Sequence, residues 1–217
     1  CRMSDLHFNK KPISGYQIKT FKKWIQRRVN REPVQKITRK TEFYGLPIHL
    51  VSEVFIPRPE TEQLVDEVKT LASKEKSNLI LDIGTGSGCI AIALATELEN
   101  SEITAIDIAT ESLKTAKKNG DYYGLKNIYF QKMDILQELP KHLYDFVVSN
   151  PPYIPKKEIK FLMPEVLGHD PISALTDNSD GLTFYRHLAE HFHKLVRQNG
   201  YMVLETGNGD HPHKALK

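Results

Sequence analysis

Apolar residues along this chain come in short unbroken runs that alternate with longer stretches in which they recur every three or four positions. The runs read as strands at about 79–83, 103–107, 127–131, 145–149 and 200–205. Helical spacing falls at about 60–71, 89–98, 110–119 and 182–197. In the first of these helices Leu64, Val65, Val68 and Leu71 share a face that should point inward, and Arg58-Pro59-Glu60-Thr61 is its expected cap. Residues 41–56, punctuated by Gly45 and Pro47, read as a hairpin. Ile18, Phe21, Ile25 and Val29 recur near helical spacing with Lys22, Lys23, Arg27 and Arg28 between them, which predicts an amphipathic helix. Strand and helix in alternation predict an α/β fold with a doubly wound, mostly parallel sheet, whose ligand loops lie at the carboxyl ends of the strands. No internal repeat or low-complexity segment interrupts the pattern.

Two of those strand ends carry chemistry. At the first, Leu79-Ile80-Leu81 runs into Asp82-Ile83-Gly84-Thr85-Gly86-Ser87-Gly88 and then into the apolar stretch Ile90–Leu98. Glycines allow a left-handed backbone and close approach of a ligand, and the helix beyond them offers unpaired N–H groups. Glycine also serves ordinary tight turns, so the loop by itself is a weak signal. Its context strengthens it: the next strand, Ile103-Thr104-Ala105-Ile106-Asp107, ends in a carboxylate about 20 residues past the glycines, the place where acidic residues bind ribose hydroxyls. Asp107 is therefore the candidate ribose ligand. A dinucleotide is disfavoured, because the later glycine of that fingerprint and a second mononucleotide-binding half are both missing. No Lys-Ser or Lys-Thr pair follows the glycines, which disfavours a phosphate loop and ATP chemistry.

The second strand end is Phe146-Val147-Val148 followed by Ser149-Asn150-Pro151-Pro152-Tyr153. Neither proline has a backbone N–H, and each holds the residue before it extended, so the loop presents carbonyl acceptors and few donors. A planar NH2 group needs such a site. The Asn150 side-chain oxygen and a backbone carbonyl can accept its two hydrogens, and Tyr153 can cover the flat face. A nucleoside cofactor without phosphates beside a grip for a nitrogen nucleophile fits S-adenosyl-L-methionine.

Composition narrows the setting. The chain has 217 residues, 40% of them hydrophobic, enough for one core with a small appendage. It shows no run long enough to span a bilayer and no secretory leader, and its two cysteines, Cys1 and Cys89, make a disulfide framework implausible. A reducing, cytoplasmic location is expected. The formal net charge is only +3, but residues 1–40 hold twelve Lys and Arg against Asp5 and Glu32, and the remainder eighteen against twenty-five acidic residues. A basic arm on an acidic body can steer an acidic partner or RNA, and can equally be a solvated helix face. His187 and His191 lie one helical turn apart, with His193, His211 and His213 following, but no Cys or carboxylate set stands at ligand spacing, so no metal is expected.

Glu42-Phe43-Tyr44-Gly45, Ile56-Pro57-Arg58-Pro59-Glu60-Thr61-Glu62, the Asp82–Gly88 loop and Asn150-Pro151-Pro152-Tyr153-Ile154 occur in the order seen in the HemK/PrmC methyltransferases, which this chain resembles. Arg31-Glu32-Pro33-Val34 and Asp180-Gly181-Leu182 extend the resemblance, which runs from about Phe21 to the C-terminus. It implies the fold of the class I S-adenosylmethionine-dependent methyltransferases. The implied activity is transfer of a methyl group to the side-chain amide nitrogen (N5) of the glutamine in the Gly-Gly-Gln motif of class I peptide chain release factors. By the same resemblance, Asn150, Pro151 and Tyr153 are the catalytic positions, and Asn150, Pro151, Pro152 and Tyr153 bind substrate. Gly84, Thr85, Gly86, Ser87 and Gly88 pass beneath the methionine end, Asp107 holds the ribose, Asp134 and Ile135 border adenine, and Asn150 also faces the cofactor. Asp134 has a competing role as a turn or cap residue. Asp82 reads as a loop organiser and a ligand of the methionine amino group, and Arg58 either faces the cofactor or pairs with Glu60 or Glu62. Asp170-Pro171 and Asp210 depart from the family's usual Glu-Pro and glutamine.

The implied division is a basic helical N-terminal remnant at 1–40, a hairpin linker at 41–59 and a methyltransferase domain at 60–217 that stops short of the family's full sheet, leaving an uncovered edge strand. Two other readings accompany this one. The Asn-Pro-Pro-Tyr tetrapeptide is shared with adenine-N6 methyltransferases of DNA and RNA, since adenine N6 is also a planar NH2, and a truncated fold could bind cofactor or partner without turnover. The Arg-Pro-Glu-Thr-Glu segment favours the glutamine enzyme.

Overall fold

The computed structural model describes residues 13–73 and 76–216. Cys1, Asp5 and the basic residues Arg2, Lys10 and Lys11 lie outside the described residues. Five strands build one parallel sheet: β3 (Leu79–Ile83), β4 (Glu102–Asp107), β5 (Ile128–Lys132), β6 (Tyr144–Ser149) and β7 (Val196–Leu204), in the order β5-β4-β3-β6-β7. The central strands are covered on both faces, so Ile80, Leu81, Ile103, Val147 and Val148 are fully buried; this is why they form continuous apolar runs and not alternating ones. Helix α3 (Cys89–Glu97), after α1 (Gly15–Val29) and α2 (Glu62–Leu71), is buried from Cys89 to Ala95 and packs over one face with α2. Against the other face pack Ile135, Leu188 and Leu195. Helix α4 (Thr110–Tyr122) links β4 to β5, and α5 (Thr183–Glu190) precedes β7. The strand order reverses at β3 and β6, and the crevice outside their carboxyl ends is where such sheets bind ligands.

The hairpin is shorter than the sequence pattern suggests. β1 (Lys40–Phe43) and β2 (Leu46–His49) are joined by Tyr44 and Gly45, both left-handed at φ 52° and 71°, a two-residue turn whose twist matches the strands. Residues 50–56 leave the ladder and run under the site. Three side chains fasten the hairpin to the sheet domain. Glu62 accepts the Tyr44 amide at 2.8 Å, the Tyr44 hydroxyl bridges Asp66 and Lys69, and Asn119 brackets the His49 backbone while also bonding the Ser87 carbonyl.

Several expectations need correction. Pro59–Thr61 is one 3-10 turn before α2, and neither Arg58 nor Thr61 caps the helix with its side chain, because both side chains are engaged elsewhere. Leu64, Val65 and Val68 face inward as the spacing suggests, but Leu71, in the last turn, is exposed. Helix α1 forms with a Ser14–Gln17 capping box, yet none of its residues is buried: Phe21, Ile25 and Val29 stay exposed. The helix expected at 182–197 ends at Glu190, and after a single turn at Phe192–Leu195 the chain is already strand at Val196. Val196 pairs with Tyr144 and the next pair is Tyr201 with Phe146, so Arg197–Gly200 are extra residues opposite Asp145, whose carboxylate holds Arg197 and the Leu79 amide. Among the described residues β7 pairs only with β6 and so forms one edge of the sheet, with β5 at the other.

Candidate active site

The loops that leave β3, β4 and β6 enclose a cavity of about 420 Å³, within the range of roughly 300–1,000 Å³ typical of small-molecule sites. Its floor is the glycine loop. The Gly84 and Thr85 amides both donate to the Ile106 carbonyl, at 2.9 and 3.0 Å, and the Gly86 amide donates to Asp107 Oδ2 at 2.9 Å. Asp107 Oδ1 accepts the Ala109 amide at 2.8 Å. Burial pushes the Asp107 carboxyl up from its ordinary value while these amides pull it back. A carboxylate has about four lone-pair sites, so Asp107 still has capacity on the cavity side for ribose hydroxyls.

Beneath the loop, Asp82 is wholly buried, and burial pushes its carboxyl up to about 7. Thr85 donates to its Oδ2 at 2.7 Å, whereas Oδ1 and the buried Ser87 hydroxyl oxygen have no partner among the described residues. Asp82 thus organises the loop and does not line the cavity. Gly84, Thr85, Gly86, Ser87, Asp107, Asp134, Ile135, Asn150, Pro151 and Pro152 all line it. Gly88 does not: it is left-handed at the foot of α3, where a Cβ would stand 2.9 Å from that of Ala116. Asp134 lines the cavity, and its Oδ1 accepts the Leu136 amide at 3.0 Å, which is the turn role.

Opposite the glycine loop stands Asn150, at the end of β6. Its Nδ2 donates to Thr61 Oγ1 at 3.0 Å, and Thr61 Oγ1 donates to Glu205 Oε2 at 2.6 Å. The other oxygen, Oε1, accepts from the Tyr153 hydroxyl at 3.2 Å, and the Glu205 carbonyl accepts from Tyr185 at 2.5 Å. Burial pushes the Glu205 carboxyl up, and the Thr61 and Tyr153 hydroxyls pull it back. Burial next to Glu205 raises the Tyr153 phenol to about 12, so it remains a donor. Tyr153 is not among the residues that line the cavity: its hydroxyl is held by Glu205, and its ring lies 5.7 Å from that of His211. Thr61, Glu205 and Tyr185 escaped the sequence reading. Glu205 had a usable signal, a carboxylate at the carboxyl end of a parallel strand; Thr61 sits in a segment noted for other reasons.

Residues 171–178 form the remaining wall, with Phe55 and Phe184. Backbone bonds from Ile154 to Leu175 and from Lys156 to Ser179 tie this wall to the proline loop. Asp177 ties its end by accepting the Ser179, Gly181 and Thr183 amides. Arg58 does not line the cavity and pairs with neither Glu60 nor Glu62. It stacks on Phe55 and bonds Asp170 Oδ2 at 2.7 Å, with buried Lys36 3.7 Å from Oδ1. Asp170 therefore anchors the start of the wall. Glu165, further out, pairs with Arg28 and Arg31 of the basic arm. Asp210 is exposed and makes no side-chain cap. Cys89 is buried and free, with its thiol pushed up to about 12 by burial. The His187 and His191 rings lie 4.4 Å apart, tilted by 31°, and no group of three or more His, Cys, Asp or Glu among the described residues could hold a metal. No described helix is long and apolar enough to cross a membrane.

The methyltransferase small domain family matches residues 61–180, which carry most of the cavity. The release factor glutamine methyltransferase of Thermodesulfovibrio yellowstonii is 36% identical over 199 residues, covering 91% of this chain and 71% of that relative. The chain belongs to the release factor glutamine methyltransferase family. A member from Fusobacterium nucleatum is 41% identical over 184 residues, 84% of this chain but 52% of its own, so the chain spans about half of one relative and about seven tenths of the other. The hMettl16 catalytic domain, solved in complex with MAT2A 3'UTR hairpin 6, superposes with a TM-score of 0.55 at 23% identity over 70% of this chain and 58% of its own, a likeness of fold. The cofactor of a methyltransferase of this kind is S-adenosylmethionine, and the site fits it. The cavity has the size, Asp107 the free acceptor capacity, and the glycine loop that lines it an unpartnered Ser87 hydroxyl oxygen.

Proposed function

We propose that this family member transfers a methyl group to N5 of the glutamine in the Gly-Gly-Gln motif of class I peptide chain release factors, in the cytoplasm. The observation that carries this reading is Asn150. It lines the same cavity as the glycine loop, its Nδ2 is turned to Thr61, and its Oδ1 accepts nothing among the described residues. An acceptor oxygen beside two prolines suits the NH2 of a glutamine amide.

When bound, S-adenosylmethionine supplies an electrophilic methyl group on a positively charged sulfur. The amide nitrogen that must attack it is a poor nucleophile, because its lone pair is delocalised into the carbonyl. Asn150 Oδ1 and the Pro151 carbonyl accept its two hydrogens, hold it in line and draw electron density toward nitrogen. In the transfer the electron pair of the broken S–C bond would stay with the bound cofactor, and the amide nitrogen, held by Asn150 and Pro151, would shed one proton to water. Orientation does most of the work, since effective molarities of aligned reactants reach on the order of 10⁵ M or more. The relatives named for release factor glutamine methylation support the substrate assignment, as does the Arg-Pro-Glu-Thr-Glu segment, whose Thr61 and Glu62 hold Asn150 and the hairpin.

The test is the intact mass of a purified release factor after incubation with this chain and S-adenosylmethionine, beside a control in which the Gly-Gly-Gln glutamine is changed. A gain of one methyl with the native factor alone is expected. Methylation of adenine in a nucleic acid and not of the factor would overturn the reading. Asn150→Ala should lower the transfer rate on the order of 10²-fold or more while cofactor still binds.

A further inference from the structure

Resting on the function proposed above, we propose that Glu205 and Thr61 are positioning residues that dictate which end of the Asn150 amide faces the substrate. An asparagine side chain is nearly symmetric in shape but opposite in polarity at its two tips: the oxygen only accepts and the nitrogen only donates. A substrate NH2 can be held by the oxygen alone. With Asn150 turned the other way, the site would present two hydrogens to two hydrogens, and transfer would stop although every residue was present.

The direction is imposed from Glu205. Its carboxylate accepts, so the single hydrogen of the Thr61 hydroxyl is committed to Oε2 at 2.6 Å. What remains on Thr61 toward Asn150 is a lone pair, and only Nδ2 can satisfy it, at 3.0 Å. Oδ1 is then left for the cavity. Thr61 is 2% exposed, so water does not compete for its hydroxyl. Glu205 itself is held on three sides. Its amide continues the β6–β7 ladder by donating to the Ser149 carbonyl at 3.0 Å, its carbonyl accepts from Tyr185, and its Oε1 accepts from Tyr153. One side chain therefore orients both Asn150 and Tyr153, the two side chains of the Asn-Pro-Pro-Tyr loop that carry polar groups.

The sequence separation is informative. Thr61 and Glu205 are 144 residues apart and belong to no common motif, yet they meet behind the residue that grips the substrate. Neither makes a helix-capping contact that would give Thr61 a separate purpose.

Four variants test the relay. Thr61→Val keeps the shape and removes the hydroxyl, Thr61→Ser keeps the hydroxyl, Glu205→Met frees the Thr61 hydrogen to donate toward Asn150, and the Thr61→Val/Glu205→Met double variant asks whether the two act as one. Folding is checked by thermal unfolding, and cofactor binding by calorimetry. Thr61→Val and Glu205→Met should each lower kcat on the order of 10²-fold, with S-adenosylmethionine affinity within about threefold of the parent. Thr61→Ser should recover most of kcat, and the double variant should be little worse than either single one, because the relay is broken once. Full kcat in Thr61→Val, or equal loss in Thr61→Ser, would overturn the proposal.

A second readout needs no substrate. In 15N-labelled protein, the Asn150 side-chain NH2 should exchange slowly with solvent in the parent and in Thr61→Ser, and faster in Thr61→Val. Fast exchange in the parent would sink the relay even if the release factor is methylated. Slow exchange together with an unmethylated release factor would leave the relay standing and reject the substrate.

Discussion

Asp82 sits wholly buried at the end of the central strand, with one carboxylate oxygen held by Thr85 and the other unpartnered. Burial pushes its carboxyl up to about 7, whereas an unfolded chain has an aspartate near 3.9, so the folded state binds this proton more tightly. Its contribution to stability is complete below about pH 4 and is lost as pH rises through about 7. Asp82→Asn keeps a side chain of the same shape and cannot ionise. Urea unfolding at several pH values should show the parent losing more stability than Asp82→Asn between about pH 5 and about pH 8. Parallel pH profiles would mean that Asp82 is ionised in the folded protein without penalty.

At the level of elements, the loop of residues 176–183 decides where the proline loop lies. Gly181 is left-handed at φ +84°, and a Cβ built there would lie 2.2 Å from the Tyr153 carbonyl oxygen and 3.2 Å from the Pro155 nitrogen. Backbone has nowhere flexible to retreat, so Gly181→Ala must push Tyr153–Pro155 aside, dragging Asn150 with it. Transfer should fall on the order of 10²-fold with cofactor affinity retained. Kinetics with calorimetry on the same preparation check it, and an unimpaired rate would show that Gly181 does not set the position of Asn150.

The same loop shows what could be read in advance and what could not. Strands β3, β4 and β6 are legible because both faces are buried, and their ends carry local signals: a glycine loop, a terminal Asp107 and two prolines after Asn150. Thr61 looks like a helix cap beside Pro59, but its hydroxyl serves a strand end far along the chain, and no local pattern encodes that. The break after α5 is hidden for a similar reason. Val196 leaves helical spacing only because Tyr144 offers it a ladder position, with Arg197–Gly200 accommodated opposite Asp145. Helix α1 has a legible apolar stripe, but periodicity states which side is apolar, not what covers it; here the stripe is exposed.

Across the whole molecule, the N-terminal segment holds the stretch leading into the cavity wall by two attachments of different character. Arg28 and Arg31 meet Glu165 from exposed positions, where ion pairs compete with water and salt. Lys36 is buried: its Nζ donates to the Ser52 carbonyl at 2.9 Å and to that of Val54, and it faces Asp170, which also binds Arg58. Burial lowers the Lys36 pKa and raises that of Asp170, while each charge pulls the other's pKa back, with Arg58 also favouring the Asp170 carboxylate. Removing one partner of such a knot strands the rest. Lys36→Met should cost about 3–5 kcal/mol of stability in denaturant unfolding, since it leaves buried carbonyls and a buried carboxylate short of a donor. Glu165→Gln should barely move the midpoint and should lose its small effect in high salt. The contrast carries through to function. Asp170 precedes Pro171 at the start of the cavity wall, so Lys36→Met should also weaken cofactor binding, and Glu165→Gln should not. Equal, small effects of the two variants would place the hold on that wall in the Arg58–Asp170 pair alone.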